Sequence, residues 1–216
     1  MSELPELSLE QFERGLSAAG HPVRSALGTA LHSHYLELRR WAPRLSLVGP
    51  AFAAEVFERH YGESLAGLEL LPPGPGKLLD LGSGAGFPGF VLAAARGDLT
   101  ATLVEARERK WAFLAAAARR AGLGVAVLNA RVTGEDPSLP QELSNLSIVT
   151  VRALQLDLRS WRTIERRLSP GARLLLWSGE APAELPPTFV RGRVLPLAGE
   201  RRAIREYLWT GPEATT

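Results

Sequence analysis

The 216-residue chain contains no cysteine, one methionine and only two lysines, Lys77 and Lys110. Without cysteine there is no disulfide framework, no thiolate metal site and no thiol nucleophile, and no metal is expected. No run of about 18 apolar residues occurs, so no membrane-spanning helix is expected. The opening Met-Ser-Glu-Leu-Pro-Glu lacks the basic and apolar regions of a secretory signal. No internal repeat or low-complexity block is visible. These absences point to a cytoplasmic protein without membrane contact. The shortage of lysine has a counterpart: 23 of the 25 basic residues are arginine, and the pI is about 9.4 at a net charge of only +2. Arginine's planar, permanently charged fork suits phosphate and guanine. That fits an RNA partner, although genome base composition also trades lysine for arginine.

Glycine is not scarce, and its placement is informative. Lys77-Leu-Leu-Asp80 reads as a buried strand. Glycine then recurs at Gly82, Gly84 and Gly86, with Gly89 close behind, and the apolar run Phe90 to Ala95 reads as a helix. A strand breaking into a glycine-rich turn and then a helix is the first βα unit of a nucleotide-type site. Gly84, Gly86 and Gly89 match the dinucleotide pattern G-x-G-x-x-G literally, so that pattern alone discriminates weakly. Asp80 discriminates better. An acid at the strand end crowds a pyrophosphate but suits a ligand carrying an ammonium and a sulfonium, such as S-adenosylmethionine. Asp80 to Gly86 resembles the Asp-x-Gly-x-Gly-x-Gly signature of the class I methyltransferases without a gap.

A second acid follows. Thr100 to Glu105 reads as the next strand, and Glu105 falls about 20 residues after the turn, where a carboxylate accepts ribose hydroxyls. NAD enzymes place an acid there too. The plainer reading is a carboxylate that caps the next helix.

Upstream, Leu7 to Ala19 reads as an amphipathic helix with a Ser8/Gln11 capping box and a Gly20 stop. A second helix runs from Val23 to Trp41 behind Pro22. His32 and His34, two apart on it, are expected at the surface. Pro50 fits the start of a third helix, Ala51 to Leu71, which carries Arg59, His60 and Glu63. His60 is expected to be a packed or hydrogen-bonded helix histidine, with RNA contact as the alternative. Pro72 to Gly76 links this N-terminal helical extension, residues 1–76, to a domain over residues 77–216.

There, strands and helices alternate: helix Lys110–Ala121, strand Val125–Asn129, strand Leu146–Val151, helix Trp161–Leu168, a Ser169-Pro-Gly171 turn and strand Ala172–Trp177. A hairpin of Thr188–Leu197 and Ala203–Thr210 closes the chain. The expected fold is α/β and Rossmann-like: a seven-stranded, mostly parallel sheet with helices on both faces. Ligands of such sheets bind beyond the strands' carboxyl ends, so Asp80, Glu105, Arg131 to Thr133 and Arg152 should converge on one crevice.

From Trp41 to Trp209 the motifs resemble the RsmG (GidB) family of bacterial methyltransferases. Trp41 to Val48 is similar to the family's Trp-x-x-x-x-Asn-Leu-Thr segment, and Arg59 to Leu65 to its His-x-x-Asp-Ser-Leu helix. Leu79 to Gly89 is the most specific piece, through its Gly-Phe-Pro-Gly tail. Leu103 to Leu114 resembles the family's second strand and helix, and Ala130 to Thr133 and Val149 to Ala153 resemble the segments after strands 3 and 4. The resemblance implies a monomeric S-adenosylmethionine-dependent enzyme that methylates guanine N7 in small-subunit (16S) ribosomal RNA, free or within the 30S particle. It implies that Asp80, Gly82, Gly84, Gly86 and Phe87 form the cofactor site and that Glu105 takes the ribose. Val132 and Thr133 would approach the adenine, and Arg152 would stand beside the methyl donor as the candidate catalytic residue.

Guanine N7 carries an exposed lone pair and needs no general base. This fits the missing Asn-Pro-Pro-Tyr motif of amino methylation and the missing cysteine of carbon methylation. Arg152 would orient the guanine through O6 or hold a nearby phosphate; its structural alternative is an ion pair with Asp80 or Glu105. Candidates for the RNA side are His60, Ser46, Arg44, Arg109, Lys110 and Ser178. Arg39, Arg40, Arg107, Arg201 and Arg202 are further basic positions, and such clusters are commonly just solvated faces. Ser46 stands where the family has Asn, Glu63 where it has Asp, and Ser178 where it commonly has Lys. All three lie on the RNA side. They keep open a methyltransferase for another RNA site or a small molecule, and a non-catalytic S-adenosylmethionine- or RNA-binding protein.

Overall fold

Alternation of apolar residues along the strands decides the architecture, because successive side chains leave a strand on opposite faces. Leu78, Ile148, Leu175 and Trp177 bury one face against Leu70, Leu71 and Leu92. Leu79, Leu81, Val149, Val151, Leu174 and Leu176 bury the other against Trp161 and Ile164. The computed structural model describes residues 4–47, 55–134, 139–182, 184–198 and 202–211. Among them the strands are β1 (Gly76–Leu81), β2 (Leu99–Glu105), β3 (Ala126–Asn129), β4 (Leu146–Arg152), β5 (Leu168–Ser178), β6 (Phe189–Pro196) and β7 (Ala203–Trp209). They form a seven-stranded sheet in the order β3-β2-β1-β4-β5-β7-β6. β1 to β5 pair in parallel, and β7 runs antiparallel to both β5 and β6. Strand order reverses between β1 and β4, which places a ligand crevice above their carboxyl ends.

The helices are α1 (Leu9–Ala18), α2 (Ser25–Trp41), α3 (Glu63–Ala66), α4 (Gly89–Ala95), α5 (Glu108–Arg120) and α6 (Leu158–Glu165). The capping box opens α1 as its sequence dictates: Gln11 N–H donates to the Ser8 hydroxyl, and the Gln11 side chain accepts from Ser8 N–H. Phe12, Leu31, Tyr35 and Leu38 of α1 and α2 share one apolar cluster with Phe90 of α4 and Phe113 and Leu114 of α5. The N-terminal helices therefore pack directly over the first βα units. No helix among the described residues is long and apolar enough to cross a membrane.

Four expectations need correction. The third helix is not uniform: a π-helical turn, Val56–Gly62, leads into α3 and then a 3₁₀ turn, Gly67–Leu70. Its expected start at Pro50 lies outside the described residues. The Ser169-Pro-Gly171 turn is a kink inside β5, which pairs Leu168 with Leu146 and then, after a register shift, Arg173 with Ile148. Correspondingly α6 begins earlier, capped by Asp157, whose carboxylate accepts from Ser160 N–H at 2.7 Å. Finally, His34 is not a surface residue. It is fully buried, because α2 is covered by α1 on one side and by α4 and α5 on another. His32 is half-buried, with Nε2 2.8 Å from the Leu7 carbonyl oxygen.

Candidate functional site

Beyond β1 the chain turns on Gly82, Gly84 and Gly86, with φ of +69°, +54° and +91°. Side chains resist this left-handed region, so the spacing of the glycines is a spacing of backbone requirements. Ser83 N–H donates to the Val104 carbonyl oxygen at 3.0 Å and stitches the turn to β2. The Glu105 carboxylate, buried at the end of β2, accepts from Gly84 N–H at 2.9 Å and from Arg107 N–H at 2.8 Å. Glu105 thus ties the turn to the start of α5. Two of the roughly four acceptor positions of a carboxylate are filled in this way.

The turn, Glu105, the segment after β3 and the segment after β4 enclose a cleft of about 790 Å³. Gly82, Gly84, Phe87, Glu105, Val132, Thr133 and Arg152 line it, as do His60, Arg107 and Lys110. Two expected residues do not line it. Gly86 stands behind the turn, where a Cβ would lie 2.9 Å from His34 Nε2. Asp80 is only 1% exposed and sits beneath the turn, accepting the Thr150 hydroxyl at 2.7 Å. A Cβ at Gly89 would fall 2.5 Å from the Asp80 carboxyl carbon, so the first turn of α4 closes directly over the acid. Burial pushes the Asp80 pKa up to about 6, against the opposing pull of the Ser83 and Thr150 hydroxyls and the Gly89 N–H. Asp80 thus lies beneath the turn, behind the cleft lining, with Oδ2 buried and unpaired among the described residues.

Arg152 ends β4, and its partner is neither Asp80 nor Glu105. Its Nη2 donates to Glu63 Oε2 at 2.8 Å and to the Arg59 carbonyl oxygen at 2.6 Å. The other Glu63 oxygen accepts from Arg202, at the start of β7. Glu63 is 6% exposed, and its backbone carbonyl takes Trp177 Nε1–H at 2.8 Å. Burial raises the Glu63 carboxyl against the pull of Arg152 and Arg202. Arg152 Nη1 is buried and makes no hydrogen bond among the described residues. Burial, helped by the charges of Arg152, Arg59 and Arg202, pushes His60 down to about 3. It is a neutral ring at pH 7, packed 5.1 Å from Phe87.

A second cleft, of about 740 Å³, opens on the other side of Arg152. Arg59, Glu63, Trp161, Trp177, Ser178 and Arg202 help to line it. The segment Arg152 to Leu156 belongs to both clefts and forms the wall between them. Within that wall Ala153 has φ +54°, and Leu154 is 40% exposed. A left-handed alanine is strained.

The RNA-side candidates separate. Ser46, Arg109 and Lys110 meet in a groove of about 290 Å³ with Leu45, Arg107 and Glu108. His60 lies in the first cleft and Ser178 in the second, where its hydroxyl donates to the Glu180 carbonyl oxygen at 2.6 Å. Arg44 is exposed and lines none of these spaces. Arg39 and Arg40 pair with Glu6 and Glu37, and Arg201 lies outside the described residues. Sequence reasoning missed the Glu63 clamp and the burial of His34. The one available signal was a lone acid, Glu63, on the Arg59-to-Leu65 segment.

Comparison with known proteins bears on what this geometry serves. Residues 29–185 match the family described as rRNA small subunit methyltransferase G. The ribosomal RNA small subunit methyltransferase G of Desulfotalea psychrophila is 33% identical over 210 residues, covering 90% of this chain and 95% of that protein. The protein of the same name from Myxococcus xanthus is 33% identical over 211 residues, covering 92% and 95%. Among solved structures, a SAM-dependent methyltransferase from Aquifex aeolicus superposes with a TM-score of 0.56 at 17% identity, over 84% of this chain and 98% of that one. A mutant of MtNAS in complex with S-adenosylmethionine gives a TM-score of 0.56 at 15% identity, over 94% and 78%. At such identities these structures speak for the fold alone.

Proposed function

The chain belongs to the rRNA small subunit methyltransferase G (GidB) family, and from that premise we propose that it methylates guanine N7 in small-subunit ribosomal RNA, with S-adenosylmethionine in the first cleft and the target nucleotide in the second. One observation carries this reading: two clefts of similar size share a wall that begins at Arg152.

The residues present fit the cofactor. A volume of about 790 Å³ is within the range of small-molecule sites, roughly 300–1,000 Å³. Glu105 keeps acceptor capacity for a ribose diol. A Cβ at Gly84 would meet only the Gly82 carbonyl oxygen, at 3.7 Å, so glycine there leaves open space in the cleft. Gly82, Gly84, Phe87 and Glu105 would hold the methionine and ribose portions, and Val132 and Thr133 the adenine. When bound, S-adenosylmethionine supplies a methyl group on a sulfonium.

Guanine N7 presents its lone pair without losing a proton, so no side chain of this protein is asked to act as a base. Neutral His60 fits a role in packing. What the protein contributes is alignment, with reacting atoms held about 3–3.5 Å apart. Arg152 is suited to it. Glu63 and the Arg59 carbonyl fix its Nη2, and the guanidinium so held lines both clefts, where it can orient guanine through O6 or hold a phosphate. Arg59 and Arg202, paired with Glu55 and Glu63, also line the second cleft, and the groove of Ser46, Arg109 and Lys110 offers a further place for the RNA backbone. Phosphate contacts of this kind make binding salt-dependent.

The test is incubation with methyl-labelled S-adenosylmethionine and unmodified small-subunit RNA, free and in particles, followed by digestion to nucleosides. Label is expected in 7-methylguanosine. Label in any other nucleoside, or tight cofactor binding with no labelled RNA, overturns the assignment of the target.

A further inference from the structure

His34 lies outside the clefts, on α2, and methyl transfer gives it nothing to do. Its ring is nevertheless held at both nitrogens. Nε2 is 2.8 Å from the Ala85 carbonyl oxygen, and Nδ1 is 2.7 Å from the Tyr61 hydroxyl. A carbonyl oxygen only accepts, so Nε2 carries the proton. On a neutral ring Nδ1 then accepts, and the Tyr61 O–H donates to it. The competing acceptor for that hydroxyl, the Leu31 carbonyl oxygen, is more distant at 3.4 Å. Burial pushes the imidazole down to about 4, consistent with a neutral ring at pH 7. Phe90 at 4.4 Å and Phe87 at 5.3 Å, centroid to centroid, pack against the ring.

Ala85 sits between Gly84 and Gly86, both at positive φ. Glycines on both sides make rotation of the intervening peptide planes sterically cheap. Within the turn, one tie holds the Ala85–Gly86 plane, Gly86 N–H donating to the Ser83 carbonyl oxygen at 2.6 Å; the others come from outside. Glu105 holds the Gly84 N–H from the cleft side. His34 holds the Ala85 carbonyl from the protein interior, and a flipped plane would leave a buried carbonyl unpaired, a costly state.

We propose that His34 is a positioning residue for the cofactor site. Through the chain Tyr61–His34–Ala85, the N-terminal extension holds the glycine-rich turn in the conformation that receives S-adenosylmethionine. This rests on the reading of the first cleft as the cofactor site. It assigns α2 a part in ligand binding across a hydrogen bond spanning 51 positions of sequence.

Isothermal titration with S-adenosylmethionine tests it on the full-length chain, on wild type, His34→Phe, His34→Gln and Tyr61→Phe. Phenylalanine keeps the ring and loses both hydrogen bonds; glutamine can restore a donor to Ala85. His34→Phe is expected to weaken binding about tenfold, the scale of one buried hydrogen bond, and His34→Gln to regain most of that loss. ¹⁵N spectra of the wild-type ring should show a protonated Nε2 and a bare Nδ1. A folded His34→Phe protein that binds as tightly as wild type overturns the proposal, as does glutamine failing to rescue or an Nδ1-protonated ring. Should His34→Phe unfold, Tyr61→Phe decides, since unchanged affinity there also overturns it. Wild type that binds no S-adenosylmethionine overturns the cofactor reading and this inference together, whereas tight wild-type binding with indifferent variants overturns this inference alone.

Discussion

Glu63 supports the site through its neighbours. One buried carboxylate holds Arg152 and Arg202. Removing its charge leaves two largely buried guanidinium groups without a counterion, and breaking a buried pair from one side costs on the order of 3 kcal/mol. Glu63→Gln should therefore lower the melting temperature, and it should also release Arg152 from its place between the clefts. The expected kinetic signature is a fall in kcat for RNA methylation with little change in S-adenosylmethionine affinity, measured by steady-state assay beside calorimetry. Equal losses in both would assign Glu63 to general stability. Nothing in the sequence joins Glu63 to Arg152, 89 positions apart; the pair exists only because the π-helical turn packs across the end of β4. The position of Glu105 was legible because it is local to one βα unit, where strand end, turn and helix start follow in fixed order, and the bond it accepts from Arg107 N–H is the capping that the plainer reading named. His34 was misread for a related reason. A spacing of two puts His32 and His34 on different faces of a helix, but spacing cannot say that α2 would be covered on more than one of them.

Elements with regular alternation were read well, and those with a local defect were not. The strands that flank the switch point came from unbroken apolar runs. The kink at Ser169-Pro-Gly171 looked like an ending because a Pro-Gly pair commonly marks a turn; here Gly171, at φ +75°, bends β5 while pairing resumes at Arg173. The glycine-rich turn was legible as a turn, yet not in its division of labour, which a pair of substitutions exposes. In Gly86→Ala the new Cβ would lie 2.9 Å from His34 Nε2 and 3.1 Å from Phe90 Cβ, at φ +91°. Left-handed strain of about 1–2 kcal/mol adds to overpacking of about 1–3 kcal/mol, so the urea midpoint should drop substantially. In Gly84→Ala only the strain is incurred, because the Cβ points into open space. That protein should stay folded and lose S-adenosylmethionine affinity instead. Similar urea midpoints for the two variants would show that the turn is not wedged between a packed side and a ligand side.

At the scale of the whole molecule, stability should depend on pH through groups that the fold keeps from their ordinary ionisation. His34 and His60 are pushed down from 6.5 to about 4 and about 3, chiefly by burial. Asp80 is pushed up from 3.8 to about 6, also chiefly by burial. The histidines bind fewer protons folded than unfolded, so the stability they allow is present above pH 6.5 and is lost as pH falls toward 4. Asp80 binds more protons folded, and it returns stability as pH falls through 6 toward 3.8. Each group contributes a slope of about 1.4 kcal/mol per pH unit where its two states differ. Of these three groups, only the histidines act between pH 6.5 and 6. Between 6 and 4 two slopes of one sign oppose one of the other, and the histidines win. From these three groups the expectation is a loss of roughly 3–4 kcal/mol from pH 6.5 to 4, read from urea midpoints at constant ionic strength. His34→Phe should flatten the profile by about half its histidine part, because that variant has no imidazole to protonate in the unfolded chain. A wild-type profile that is level, or that rises toward acid, would mean that Asp80 outweighs both rings. In that case the buried acid beneath the glycine-rich turn, more than the histidines beside it, sets the acid limit of the fold.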